Sequence, residues 1–541
     1  MQRPTPYPRG RSIRYGAALA AVCASLLAGC TSPREWIRNG FKVGPAYCRP
    51  EAPVADDWID ANDQRLRSES DDHAAWWTVF DDPVLDRLIA EAYSQNLPLR
   101  VAGFRILEAR ALRAIAAGNV LPQQQQAFAD YSHNVNSLRS FGFALPTRQF
   151  SLWDGGFNLA WELDFWGRFR RAVESADADL DASIENYDDV LVTLLADVAT
   201  TYVEIRTLQR RLELAKANIE LQRRSFELAD TRFTKGAANE VDMQQAKSNL
   251  AQTEALVPQL EVALRQSQNQ LCVLLGFPPE DLNARLGTAA IPTAPAEVAV
   301  GVPGELLRRR PDVRRAERQV AAQSARIGIA ESEFYPHIAV TGVIGVEANQ
   351  FQDLFKSGAS FGSVGPSLRW NVLNYGRILN NVRAEDARFQ QAAIAYQQTV
   401  LAANAEAENA IVAFLRSQQR RDALLRSAEA ARRSNELVSS LYNVGDAGLD
   451  RVFVIQSFLV QQQDAAAESQ GEVAKNLISI YRALGGGWQI RLGTGAVGVV
   501  RLPGVEPAPD AQRGTGEAMP EATPAPMPQP MPTPHAAPEP K

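Results

Sequence analysis

The side chains able to do covalent, metal or acid–base chemistry are few and stand far apart. The histidines are His73, His133, His337 and His535, and they form no ligand cluster. A metal centre gathers such ligands at short fixed spacings, and a catalytic base needs a partner within hydrogen-bond reach. No serine stands in a nucleophile-elbow context, and no glycine loop is built to cradle phosphate. Cys48 and Cys272 lie in unlike contexts, a coil and a helix end, so neither a disulfide framework nor a metal spacing is expected. The pattern predicts a protein that is not an enzyme and needs no cofactor. One thiol stands apart: Cys30 closes the run Leu27-Ala28-Gly29-Cys30, behind an apolar stretch from Gly16 to Ala28 and the arginines at 3, 9, 11 and 14.

That N-terminus is a processing signal, too short to span a bilayer as a stable anchor. Its last four residues resemble a bacterial lipobox. The resemblance implies that residues 1–29 are removed and that Cys30 carries diacylglycerol and N-acyl lipid, palmitate among the acyl groups. Thr31 and Ser32 follow in place of the aspartate associated with inner-membrane retention, which favours the outer membrane. Several acyl chains on one residue anchor firmly. Removing the four arginines takes the formal charge from −6 to −10. An acidic chain with no basic stripe argues against nucleic acid. Arg308–Arg310, followed by Pro311-Asp312, reads as a helix-capping, ion-paired segment.

The chain repeats itself. Trp161, Gly167, Tyr187, Gly236 and Gly276 recur as Trp370, Gly376, Tyr396, Gly445 and Gly485, each 209 residues on. Duplication fixes architecture, and here the unit is a strand end, a long helix, a tip turn and a returning helix. Between Gly167 and Phe233 no proline or interior glycine breaks the helix. Leu191, Leu195, Val198, Tyr202, Ile205, Leu208, Leu212, Ala215 and Ile219 step by threes and fours with one extra three, a coiled-coil seam with a stammer. About 66 residues at 1.5 Å each give roughly 100 Å, about three times a bilayer core. Arg206, Arg210, Arg211 and Glu213 make the helix too polar for lipid. Leu99–Ala117 and Glu240–Gly276 together nearly match its length, so two shorter helices stacked end to end could lie beside it. Pro258 is expected to kink the returning helix.

Elsewhere the period is two. Gln126, Phe128, Asp130, Ser132 and Asn134 alternate with Ala127, Ala129, Tyr131, His133 and Val135. Phe157, Leu159 and Trp161 alternate with Asn158, Ala160 and Glu162. Segments of about eleven residues suit tilted transmembrane strands. Four are predicted, near 125–136, 151–164, 337–347 and 361–373, with hairpin loops at 137–149 and 348–360. Tyr131, Trp153 and Trp161 either sit at the membrane interface or simply pack. Four strands cannot close a barrel, and an open edge in lipid leaves N–H and C=O groups unpaired. Two copies would give about eight strands with a filled interior, three about twelve with a water-filled lumen. The polar faces favour the homotrimer.

The domain reading follows: signal 1–29; tether 30–75; a first repeat 76–290 with long helix 167–233 and returning helix 240–275; a second repeat 291–490 with helices 377–443 and 449–484; and a disordered Pro/Ala-rich tail 491–541.

VGPAYCRP at Val43–Pro50, WWTVFDDPVLDRLIAEA at Trp76–Ala92, WELDFWGRFR at Trp161–Arg170, LLRRRPDVRRAER at Leu306–Arg318 and YRALGGGW at Tyr481–Trp488 resemble the TolC-like outer-membrane efflux factors, in their NodT-like lipoprotein branch. The resemblance implies a mainly α fold with a β-barrel part, a trimer whose twelve-stranded barrel continues as a twelve-helix periplasmic tunnel. It implies an exit duct for a tripartite pump, with a periplasmic adaptor and an inner-membrane transporter, of RND type, as partners. It further implies small-molecule cargo such as drugs. In that family an acidic residue commonly follows each tip glycine by about six positions. Asp242, with Glu240 nearby, fits after Gly236. After Gly445 the position is Arg451, beside Asp446 and Asp450. The expected gate is therefore a mixed-charge tip in which Asp242, Asp450 and Arg451 pair helices together, with Gly236 and Gly445 where an adaptor would touch. A protein-secretion duct and a non-conducting trimeric stalk are the alternatives.

Overall fold

The computed structural model describes residues 32–67, 69, 73–135, 149–444 and 446–493. Cys30, Gly445, the first hairpin loop at 137–148 and the tail from 494 lie outside the described residues.

Two successive passes of strand pair and helix pair make up the body. Helix α1 (Pro83–Gln95) opens on Asp82, whose carboxylate accepts from the Val84 and Leu85 amides, and α2 (Leu97–Gly118) opens on Asn96 in the same way. Strands β1 (Gln124–Val135) and β2 (Gln149–Glu162) follow, then the long helix α3 (Arg168–Thr234) and its return α4 (Glu240–Leu275). The second pass runs through α5 (Pro311–Ser332), β3 (His337–Ala348), β4 (Ser360–Arg369), α6 (Arg377–Val444) and α7 (Leu449–Ala483). Helix α4 continues through Pro258. Among the described residues no helix is long and apolar enough to cross a membrane.

Strand and helix ends have local causes. At 163–164 the chain leaves β2 because the Asp164 carboxylate accepts from the Phe169 and Arg170 amides at 3.0 Å each, starting α3 behind left-handed Gly167. Strand β4 stops at Arg369, short of the expected 373. There the Trp370 indole turns back to donate to the Phe334 carbonyl (2.9 Å), and Tyr375 and Gly376 take positive φ.

Helix α3 is the spine. Leu191, Leu195, Val198, Tyr202 and Ile205 are fully buried between α2, α4, α5 and α7. Arg206 is buried with them: its guanidinium donates to the Leu286 and Gly287 carbonyls at 2.7 and 2.8 Å and to the Tyr202 hydroxyl at 3.0 Å. The Tyr202 hydroxyl in turn donates to the Asp82 carboxylate at 2.6 Å. The two shorter helices do stack end to end: Asn96, ahead of α2, donates to the Leu274 carbonyl at the end of α4 (2.9 Å). Arg310, ahead of α5, donates to the Ala483 carbonyl at the end of α7 (2.5 Å) and pairs with Asp312 and Glu406.

Two expectations are corrected. The segment read as a tether is packed: Val43 and Trp58 are buried, Trp58 donates to the Gly301 carbonyl (2.9 Å), and Leu66-Arg67 pairs in parallel with Val298-Ala299. Single anchors spaced along a coil carry no periodicity to read. The body also extends past 490. Arg491 makes a two-pronged pair, at 2.7 and 2.9 Å, with the fully buried Asp188.

Candidate functional site

The four strands form one antiparallel sheet in the order β1-β2-β3-β4. Register fixes its faces, since residues directly opposite point the same way. Phe157 stands between Ala127 and Ile344, and Leu159 between Gln125 and Gly342, itself opposite Val364. With Trp161, Val340, Val346 and Leu368 this face is apolar, and Phe157, Ile344 and Val364 are exposed on it. On the other face Asn158 stands between Gln126 and Val343, and Asp154 between Asp130 and Glu347. Like charges directly opposite are unfavourable unless water solvates them. One face therefore suits hydrocarbon and the other a wet lumen.

At the helix end of the polar face four ionisable groups meet. His337 Nδ1 lies 2.7 Å from Glu162 and its Nε2 3.5 Å from Glu333, while Arg168 reaches both carboxylates at 3.4 Å. At the opposite end Trp153 touches Tyr131 and Phe351 with ring centroids 4.3 and 5.2 Å apart, so these aromatic side chains pack on one another.

The far end of the helices is the tip. Ala229, Ala246, Val438, Tyr442, Leu449, Val452 and Phe453 close it in one apolar cluster, with Arg232 over the Tyr442 ring at 4.4 Å. Burial pushes the Tyr442 phenol up, opposed by Arg232 and reinforced by Asp242. The charged residues sit around this cluster. Glu240, Asp446, Asp450 and Arg451 are exposed, Asp242 is half-buried, and Gly236 takes φ +72° with open space beside it. Among the described residues none of these five makes an ion pair within the chain; apolar packing and the Arg232–Tyr442 contact join the helices in one copy.

A family model, Outer membrane efflux protein, matches residues 88–277 and 302–486. The chain belongs to that family. Nodulation protein T of Rhizobium leguminosarum bv. trifolii is 31% identical over 452 residues, which are 83% of this chain and 95% of that protein. The pyoverdine export outer membrane protein OpmQ of Pseudomonas putida is 31% identical over 76% of this chain and 88% of its own. A solved structure, of the outer-membrane channel OprN, superposes with a TM-score of 0.78 at 33% identity, covering 83% of this chain and 99% of that one.

This efflux protein is accordingly the outer-membrane duct of an efflux pump, and its open features find their use in the family's trimer. Strands β1 and β4 each pair on one side only. Edge pairing between copies closes the sheet, as the strand count requires. Helix α2 leaves Val101, Phe104 and Ile115 exposed, and α6 leaves Ile394 and Leu401 exposed, apolar side chains that one copy does not cover. Nothing in the sequence signals the Glu162–His337–Arg168–Glu333 group, because its members come from β2, α3, β3 and the C-cap of α5. Only the strand register brings Glu162 and His337 together.

Proposed function

We propose that this duct carries small molecules, received from an inner-membrane transporter of RND type through a periplasmic adaptor, and that passage is controlled at the helix tip. The observation that carries the gate is the tip geometry. One chain closes its own helix ends by apolar packing, and among the described residues Asp242, Asp450 and Arg451 have no ion-pair partner, so these charges are available to the adjoining copies. Opposite charges at such an exposed site are individually weak, and threefold repetition multiplies them. Gly236 lies just past the end of α3, where an adaptor would make contact. The polar sheet face supports a passage over a solid stalk, and the name of the Pseudomonas putida relative, for pyoverdine export, supports a compound as cargo over a protein. Members of the family are channel proteins, so the energy for transport comes from the partner pump.

The anchor reading is that Cys30 is acylated. It is supported by the nearness of the preceding segment to the sheet: the helical turn Pro33–Arg38 packs Trp36 against Phe165 and Trp166, just past the end of β2.

Conductance of the reconstituted trimer tests the gate. Asp242→Ala with Arg451→Ala should raise the resting conductance several-fold. A double variant as closed as wild type sinks the proposal. Deletion followed by a compound-sensitivity panel tests the cargo class: unchanged sensitivity throughout, with loss of a secreted protein, would reverse it.

A further inference from the structure

The first described residues carry more than a connection to an anchor. Trp36 is held in an aromatic group, its ring centroid 4.8 Å from Phe41, 5.3 Å from Phe165 and 5.6 Å from Trp166. Beside it the apolar side chains are turned outward: Ile37 is 60% exposed, Phe41 50% and Phe165 47%. Arg34 and Arg38 are exposed as well, four residues apart and so on one face of the turn.

The backbone is forced into this arrangement. Phe41 has φ +61°, after Gly40 at +67°. A bulky aromatic residue is strained there. The chain is held by Arg170, which donates to the Gly40 and Phe41 carbonyls at 2.7 and 2.9 Å and is itself fixed by Asp164 at 2.8 Å. The Val43 amide adds a bond to the Trp166 carbonyl at 3.0 Å. The Phe41 ring meets Trp36 edge-on and is otherwise half-exposed, so packing within the chain alone is a poor reason for a strained phenylalanine here.

We propose that residues 33–42, with Phe165, form an interfacial foot that docks on anionic phospholipid headgroups of the membrane leaflet beneath the barrel. Two features of the molecule select this occupant. Phe165 follows β2 by three residues, so the foot continues the apolar sheet face at the level where strands leave the hydrocarbon. Aromatic rings belong at that level. The chemistry also matches: apolar and aromatic groups enter the headgroup boundary while two arginines meet negative charge. The foot rests on the barrel reading and does not require acylation of Cys30. It would fix the height and tilt of each copy against the membrane.

Spin labelling of the full-length trimer tests this, in a Cys30→Ala, Cys48→Ser background exported behind an ordinary secretory leader. Nitroxides are placed by Ile37→Cys, Val54→Cys and Ile344→Cys in liposomes of phosphatidylethanolamine with phosphatidylglycerol. The label at 37 should be oxygen-accessible and several-fold better shielded than the label at 54 from a water-soluble nickel complex. Arg34→Gln with Arg38→Gln, or replacing phosphatidylglycerol by phosphatidylcholine, should remove most of that shielding. Phe41→Asn should do the same, since asparagine keeps the left-handed backbone and lacks the ring. A label at 37 as nickel-exposed as that at 54 overturns the foot. Shielding that ignores headgroup charge overturns its anionic partner. Shielding from oxygen and nickel alike, in detergent as in lipid, shows a neighbouring copy on the patch and also overturns it. A water-exposed label at 344 overturns the barrel reading and the foot with it, whereas a lipid-embedded 344 beside an exposed 37 overturns the foot alone.

Discussion

The two long helices descend from one repeated unit, yet they live in opposite surroundings. Helix α3 is enclosed by α2 and α4 of its own repeat and by α5 and α7 of the other. Helix α6 touches α5 and α7 of its own repeat and lacks the second pair. Corresponding positions show the consequence. Tyr187 and Tyr396 are both buried, at 3% and 4% exposure. Two residues earlier, Glu185 is 6% exposed and its counterpart Ile394 is 64% exposed. A buried carboxylate and an exposed isoleucine are each in the wrong medium for a single chain. A ring of copies offers α6 the second pair of helices that it lacks in one chain, and the prediction is that α2 and α4 of the next chain supply it. The apolar face left open on α2 is the complement. The two repeats thus differ in one copy: one long helix is enclosed on both sides within the chain, and the other is left open on one side.

The largest expected effect follows from placing a charge in that seam. Phe104→Glu on α2, or Ile394→Glu on α6, should convert the trimer to single chains in detergent, read by analytical ultracentrifugation. Secondary structure should stay near wild type, because both side chains are exposed in the lone chain. Trimers that persist with both substitutions would show that α6 is not completed by its neighbour.

The buried side of the same comparison predicts a pH dependence confined to the first repeat. Burial pushes the Glu185 carboxyl up to about 7, against the pull of Arg314, whose guanidinium lies 2.5 Å away. A carboxyl raised in the folded state stabilises it most while protonated. Its contribution is complete below the unfolded value near 4.5 and is lost as pH rises through about 7. Full ionisation costs up to about 3 kcal/mol by linkage. Glu185→Gln should therefore flatten the stability–pH curve between those limits, measured by chemical unfolding. The matching change Ile394→Gln should leave its slope untouched.

Much of the architecture was legible because long elements advertise themselves. The 209-residue spacing, the seam from Leu191 to Ile219 and the alternation around Phe157 are periodic signals repeated over many residues. Strand count and the ban on open edges then led to an oligomer with no family knowledge at all. Contacts made by one residue against a distant one were hidden. Trp58 reaches Gly301, Arg491 reaches Asp188 and Arg170 grips Gly40 and Phe41, and each is a long-range pairing that only the folded chain creates. At the tip, the charges were picked out through the family resemblance, which implies an acidic residue about six positions after each tip glycine. The apolar cluster that joins the tip helices within one copy was hidden, because Ala229, Val438 and Phe453 look like any other seam residues.

The smallest effect tests whether the repeats are equivalent where their stacked helices meet. The first junction is made by neutral Asn96, which caps α2 through Leu99 and holds the Leu274 carbonyl. The second is made by Arg310, tied to Ala483, Asp312 and Glu406. Leu274 and Ala483 are themselves 209 residues apart, so the same carbonyl is held by different chemistry. Asn96→Ala loses one cap and one buried bond, about 1–2 kcal/mol. Arg310→Gln leaves Asp312 and Glu406 without their partner, but both are partly exposed. The cost should therefore fall below that of a fully buried pair, at about 2–3 kcal/mol. Salt separates the two: raising ionic strength should lower wild-type stability toward that of Arg310→Gln and leave the Asn96→Ala difference unchanged. Equal salt responses would mean that the arginine acts at this junction as a hydrogen-bond donor alone, and that the repeats differ there in residue but not in physics.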